Sequence, residues 1–294
     1  MRLGFHDCVG GCDGCVDMTE PDNFGLDIPI DALADVVASY ARDGLTRADI
    51  WAMAAMIGTD DSQPRDNLRD YDFEWYGRST CDAADGKGGD ALTMPSVDFN
   101  TAELLHFFST EFGFDERQTV AIMGAHSIGT LSQQNSGFNG PDGWTGNNRR
   151  LDNRYYGELI GGDRDVPTTN FDDLIDAPQW TQELVDNSQY PNIPNRFQWV
   201  KGGDGDDDPI MTNADIALSR DFSGYISAGQ VNCVFKNPKS TPRCPHAAQT
   251  WDYMIEFKFN DGAFLEALRD AFMEILHHGT GVQWNGCSSP PCKI

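Results

Sequence analysis

Arg2-Leu3-Gly4-Phe5-His6-Asp7-Cys8-Val9-Gly10-Gly11-Cys12-Asp13 is the stretch on which the reading of the chain turns. Arg2 and His6 stand four apart, which on a helix puts a guanidinium and an imidazole on one face, one turn apart. Phe5 supplies an apolar wall beside them, and Asp7 leads into a turn rich in glycine and cysteine. A proton acceptor beside a fixed positive charge and a hydrophobic plate are parts for polarising a small polar molecule. Taken alone, the stretch equally describes a surface helix end with a stray Arg and His.

A second stretch shifts that balance. In residues 115–131, apolar Val120, Ile122, Met123, Ala125 and Ile128 predict a buried helix, with Asp115 and Glu116 in its first turn as the helix dipole prefers. His126 lies among Gly124, Ala125, Ser127 and Gly129, small neighbours that leave room for something flat and large against the ring. A lone buried histidine is more often a satisfied core residue. A neutral imidazole on an apolar helix is also what a proximal haem ligand requires.

Together, Arg2-x-x-Phe5-His6-Asp7-Cys8 and Gly124-Ala125-His126-Ser127-Ile128-Gly129 resemble the plant, fungal and bacterial haem peroxidase superfamily. The resemblance continues in order through Leu45–Ile50, Gly77-Arg78, Asn135–Tyr156 and Met211–Leu218, and so covers almost the whole chain. It implies an all-α fold, two helical lobes sandwiching a haem b. Residues 1–294 would form one peroxidase domain, with a distal lobe of about 1–112 and a proximal lobe of about 113–294. Met1 falls inside what should be the distal helix, so an N-terminal helix is expected to be missing from this numbering.

The same resemblance assigns roles. His6 is the base that moves the peroxide proton, Arg2 stabilises the departing oxygen, and Asn23 holds the His6 ring. Phe5 walls the distal side. His126 ligates the haem iron, Asp215 raises its basicity, and Trp144 packs on the proximal side within hydrogen-bonding reach of Asp215. Asp7, Gly11 and Asp13 match a distal calcium site, with Cys15 where the family has Ser. Ser127, Thr145, Asn147 and Asp152 match a proximal cation site, where the low carboxylate count favours potassium over calcium.

Composition sets limits on function. A net charge of −25 and a pI near 4.3 argue against nucleic acid as a partner. No run of apolar residues is long enough to predict a membrane span. Eight cysteines are many for a reducing compartment, and Cys12-x-x-Cys15 has no second half that would complete a zinc set. Four disulfides and an extracellular or secretory-lumen location are therefore expected. Proximity and family habit imply one bridge within Cys8–Cys15, with Cys81 taking the third cysteine of that cluster. Cys233, Cys244, Cys287 and Cys292 would then pair among themselves.

The implied function is a haem peroxidase that reduces hydrogen peroxide and oxidises small, phenolic donors by one-electron steps. Asn135 stands where ascorbate peroxidases carry a substrate-binding Arg, which argues against ascorbate. The alternative is an extracellular structural or adhesive protein on the same fold. The sequence leaves the oligomeric state open.

Overall fold

The computed structural model describes residues 1–64, 75–89, 94–161, 180–201, 209–235, 241–278 and 292–293. Its helices are α1 (Arg2–Cys8), α2 (Asp27–Tyr40), α3 (Arg47–Asp61), α4 (Thr101–Phe112), α5 (Glu116–Met123), α6 (Gln133–Ser136), α7 (Arg154–Ile160), α8 (Asn213–Ile216), α9 (Trp251–Phe259) and α10 (Asp261–His278). The mostly helical fold expected from the sequence is the one formed. Reciprocal caps start several helices: Thr46 with Asp49, Asn100 with Glu103, Asp115 with Gln118, and Thr212 with Asp215. In each, the two side chains satisfy backbone N–H groups that the first helical turn leaves without partners.

The chain forms two compact units. The first comprises Met1–Gln63, Leu68–Met94 and Arg269–Ile294; the second comprises Pro64–Asn67 and Pro95–Leu268. Thus α4 belongs to the second unit, and the last part of α10 to the first.

In the first unit, Leu3, Val16, Leu26, Ile30 and Trp51 form a core against which Met18, Leu33 and Val37 pack. Gly4 is required where α1 meets α3, because a Cβ there would lie 2.5 Å from that of Ala55. Arg78 and Asp49 form a fully buried ion pair at 3.0 Å. The Asp49 carboxylate also accepts from the N–H groups of Gly77 and Arg78, so the buried charge is well solvated by the protein. Two disulfides, Cys8–Cys12 and Cys15–Cys81, tie the loop after α1, as the sequence reading expected.

In the second unit, Phe108 packs among Phe107, Phe112 and Phe114 at the end of α4. One element departs from expectation. Residues 163–209 read as a long acidic loop, yet Trp180–Val185 and Arg196–Lys201 pair antiparallel, from Trp180 opposite Lys201 to Val185 opposite Arg196, and Ile210–Met211 extends the sheet. The β-favouring Trp, Thr, Leu, Val and Phe of these segments explain the pairing, which the surrounding acidic residues obscure. A small hairpin, Ile226–Ser227 with Gln230–Val231, follows, and Cys233 is bridged to Cys244, one pairing among the four cysteines expected to pair with one another. The acidic run 204–208, and Cys287 with its expected bridge, lie outside the described residues.

Candidate active site

The distal residues all lie in the first unit. Arg2 and His6 fall one turn apart on α1, and Phe5 meets the His6 ring edge-on at 5.8 Å. His6 Nδ1 is 2.7 Å from Asn23 Oδ1, and Asn23 Nδ2 donates to Asp17 O at 2.8 Å. The amide can therefore present only its oxygen to the ring, which puts the proton on Nδ1 and leaves the Nε2 lone pair free. The turn around Asn23 also receives Arg2, whose guanidinium donates to Asp22 O at 2.6 Å and Phe24 O at 3.1 Å. One turn thus positions both the base and the positive charge. Burial, then the nearby Arg2 charge, push the His6 pKa down to about 3 against the favourable Asn23 contact. His6 is a neutral acceptor at any ordinary pH.

Asp7 follows His6 but turns inward. Its Oδ1 accepts from the N–H groups of Gly14 at 2.7 Å and Cys15 at 3.1 Å. Burial, then the adjacent Asp13, push its pKa up to about 8, against those two N–H groups and Arg78.

The proximal residues lie in the second unit. α5 ends at Met123 and tightens into one 3₁₀ turn, Gly124–Ser127, that carries His126. His126 Nδ1 is 2.7 Å from Asp215 Oδ1. Asp215 is fully buried, yet its carboxyl is held below the ordinary value: burial opposes ionisation, and His126, Thr212 and Tyr155 together outweigh it. The ionised carboxylate fixes the proton on Nδ1, so Nε2 of His126 is a free ligand atom. Trp144 stacks on the imidazole with ring centroids 4.0 Å apart and planes 2° from parallel.

The expected Trp144–Asp215 hydrogen bond is not formed. Asp215 Oδ1 accepts instead from the Tyr155 hydroxyl at 2.7 Å, and Oδ2 accepts from Thr212 N at 2.8 Å and Thr212 Oγ1 at 2.6 Å. Tyr155 is the residue the sequence reading missed. It stands in the Asp152-Asn153-Arg154-Tyr155-Tyr156 run, but nothing in that run says which tyrosine reaches Asp215. Thr212 was legible, because Thr212-x-x-Asp215 is a capping-box spacing.

Three of the residues matched to a proximal cation site, Ser127, Thr145 and Asn147, lie together. Thr145 Oγ1 donates to Ser127 O at 3.0 Å and receives Asn147 N at 3.4 Å. Asp152 faces guanidinium groups, Arg154 at 3.4 Å and Arg150 at 3.8 Å.

The residues present fit a haem by their donor chemistry. An imidazole whose far nitrogen is bonded to a buried carboxylate, bordered by a flat aromatic ring, is suited to ligate iron. Residues 1–227 match the sequence pattern of a family described as peroxidase. Among curated proteins, the chain is 27% identical over 219 residues to a Yarrowia lipolytica protein named "Putative heme-binding peroxidase", covering 68% of this chain and 66% of that one. It is 27% identical over 176 residues to "L-ascorbate peroxidase 5, peroxisomal" of Arabidopsis thaliana, covering 55% and 57%. It is also 27% identical over 143 residues to "Cytochrome c peroxidase, mitochondrial" of Candida albicans, covering 48% and 36%. The chain thus spans only part of the length of these relatives.

Proposed function

The chain belongs to the peroxidase family, and on that premise we propose that it is a haem-dependent enzyme that reduces hydrogen peroxide and oxidises small phenolic donors by one-electron steps. The observation that carries this reading is the 2.7 Å bond between His126 Nδ1 and fully buried Asp215, which leaves Nε2 as an iron ligand. Haem b, when bound, would supply the iron at which the peroxide O–O bond breaks and would hold the oxidising equivalents taken from peroxide until the donor receives them.

The protein's share of the work follows from its side chains. Asp215 keeps the His126 ring oriented and electron-rich, which favours heterolytic cleavage. His6, neutral and free at Nε2, takes a proton from peroxide and returns it to the leaving oxygen, a role worth about 10²–10⁴-fold in rate. Arg2 stabilises the negative charge on that oxygen. Asn23 keeps His6 in the tautomer that can act as base. The disulfides Cys8–Cys12, Cys15–Cys81 and Cys233–Cys244 support an extracellular or secretory-lumen setting.

The resemblance also implies potassium or calcium. At the proximal loop Thr145 Oγ1 donates to Ser127 O and Asp152 lies beside Arg150 and Arg154, and no step is assigned to a cation there.

Reconstitution with haemin tests the reading. A Soret band that shifts on adding peroxide, with turnover of guaiacol, is expected. A folded chain with neither would favour a structural or adhesive protein on this fold.

A further inference from the structure

The loop that should hold a distal calcium already contains a cation. Arg47, the first residue of α3, extends its guanidinium into the loop formed by residues 7–17 and 81–86. Its Nε donates to Gly14 O at 2.6 Å, and its two terminal nitrogens donate to Ala84 O at 3.0 Å and Cys81 O at 3.5 Å. The second of these also lies 3.2 Å from Cys81 Sγ and 3.6 Å from Cys15 Sγ, so the guanidinium rests on the disulfide. Its carbon sits 5.9 Å from the Trp51 ring. The charges that attract it are Asp13 and Asp85.

The residues implied for calcium are spent elsewhere. Asp7 Oδ1 takes two backbone N–H groups, Asp13 Oδ1 takes Cys15 N at 3.0 Å, and the Cys15 sulfur is in a disulfide. Asp7 Oδ2 is buried without a hydrogen-bond partner among the described residues. One such oxygen is far from the roughly 6–8 oxygens that calcium gathers. Gly14 completes the arrangement: at φ +71° it turns its carbonyl to Arg47, and a Cβ there would lie 2.8 Å from Ala48 N.

We propose that the Arg47 guanidinium is the resident cation of this loop, and that with the Cys15–Cys81 bridge it organises the distal half of the site without a divalent ion. A guanidinium suits the position, because its planar fork can serve several carbonyls at once while supplying charge. The proposal stands whether or not the haem reading does.

Metal analysis and thermal unfolding of the purified protein test it. After exhaustive chelation and return to millimolar calcium, the protein is expected to hold far less than one calcium per chain, with an unchanged Tm. Arg47→Leu is expected to lower Tm by several degrees, and Arg47→Lys by less, because a lysine keeps the charge but lacks the planar fork that spreads donors over three nitrogens. One tightly held calcium per chain, lost in Asp7→Asn, would overturn the proposal, as would an Arg47→Leu protein that melts with the wild type. If Arg47→Leu does not fold, the calcium content and calcium response of the wild type still decide the matter. The Soret band, recorded on the same samples, reports separately on the haem reading.

Discussion

His126 and Trp144 lie face to face, 4.0 Å apart at their ring centroids and within 2° of parallel. The contact holds the indole against the imidazole without a hydrogen bond to the carboxylate behind it. The negative charge of buried Asp215, bonded to the same imidazole, makes loss of an electron from the indole easier, since burial weakens dielectric screening.

Trp144 is therefore expected to host oxidising charge. Electron paramagnetic resonance of the peroxide-treated protein should show a radical signal that Trp144→Phe abolishes, while haem content stays the same. A spectrum indifferent to the substitution would leave Trp144 as packing alone.

Tyr155 should tune the proximal ligand. Its hydroxyl, kept protonated by burial and by the adjacent Asp215 charge, competes with His126 for Oδ1. Removing it in Tyr155→Phe withdraws a hydrogen bond to a charged group, worth about 1.5–3 kcal/mol. The His126–Asp215 bond should strengthen, and the Fe(III)/Fe(II) midpoint potential should fall. Spectroelectrochemistry checks the sign, and a rise in potential would contradict the competition.

His6 makes a two-part prediction. His6→Leu should slow the reaction with peroxide by about 10²–10⁴-fold with haem retained, as stopped-flow spectroscopy would read. The second part concerns stability. The folded-state pKa of about 3 lies below the ordinary value of 6.5. Below about pH 6.5 the unfolded chain takes a proton that the folded one refuses, so stability falls as pH drops towards 3 and is unaffected above. Asp7, raised to about 8, acts in the opposite sense: its penalty grows as pH rises from about 4 to 8. Denaturant midpoints of wild type and His6→Leu, compared at pH 7 and pH 5, isolate the His6 part. The wild type should lose more stability on acidification than the variant does.

Gly4 links packing to chemistry. It lies between Arg2 and His6 on α1, and Gly4→Val would force α1 away from Ala55. Overpacking of this kind typically costs about 1–3 kcal/mol. The variant should lose stability and, because Arg2 and His6 ride on the same helix, slow in peroxide turnover by more than the stability loss explains. A variant with full peroxide reactivity would show that α1 tolerates the shift.

Much of the site was legible because its signals are local. The Arg2–His6 spacing, the small residues around His126 and the Thr212–Asp215 cap each sit within one helical turn of sequence. What escaped depends on contacts between distant segments. Tyr155 reaches Asp215 across sixty residues of chain, and Arg47 reaches Cys81 across thirty-four. A tyrosine on a helix and an arginine after a capping threonine both read as ordinary in isolation. The sheet at Trp180–Met211 was lost for another reason, since acidic composition outweighed a weak period-two pattern.

Asp215 divides its labour by atom: Oδ1 serves His126 and Tyr155, while Oδ2 caps its own helix through Thr212. The carboxylate cannot rotate to favour one task without abandoning the other. Shape therefore ranks above charge in what the position tolerates. An isosteric Asn keeps an oxygen for one of the two tasks, but Glu, with the charge intact and one more methylene, would misplace both oxygens and unseat helix and ligand together. Replacements at this position would accordingly register first in folding yield, and a screen scored on activity alone would mistake a folding defect for a catalytic one.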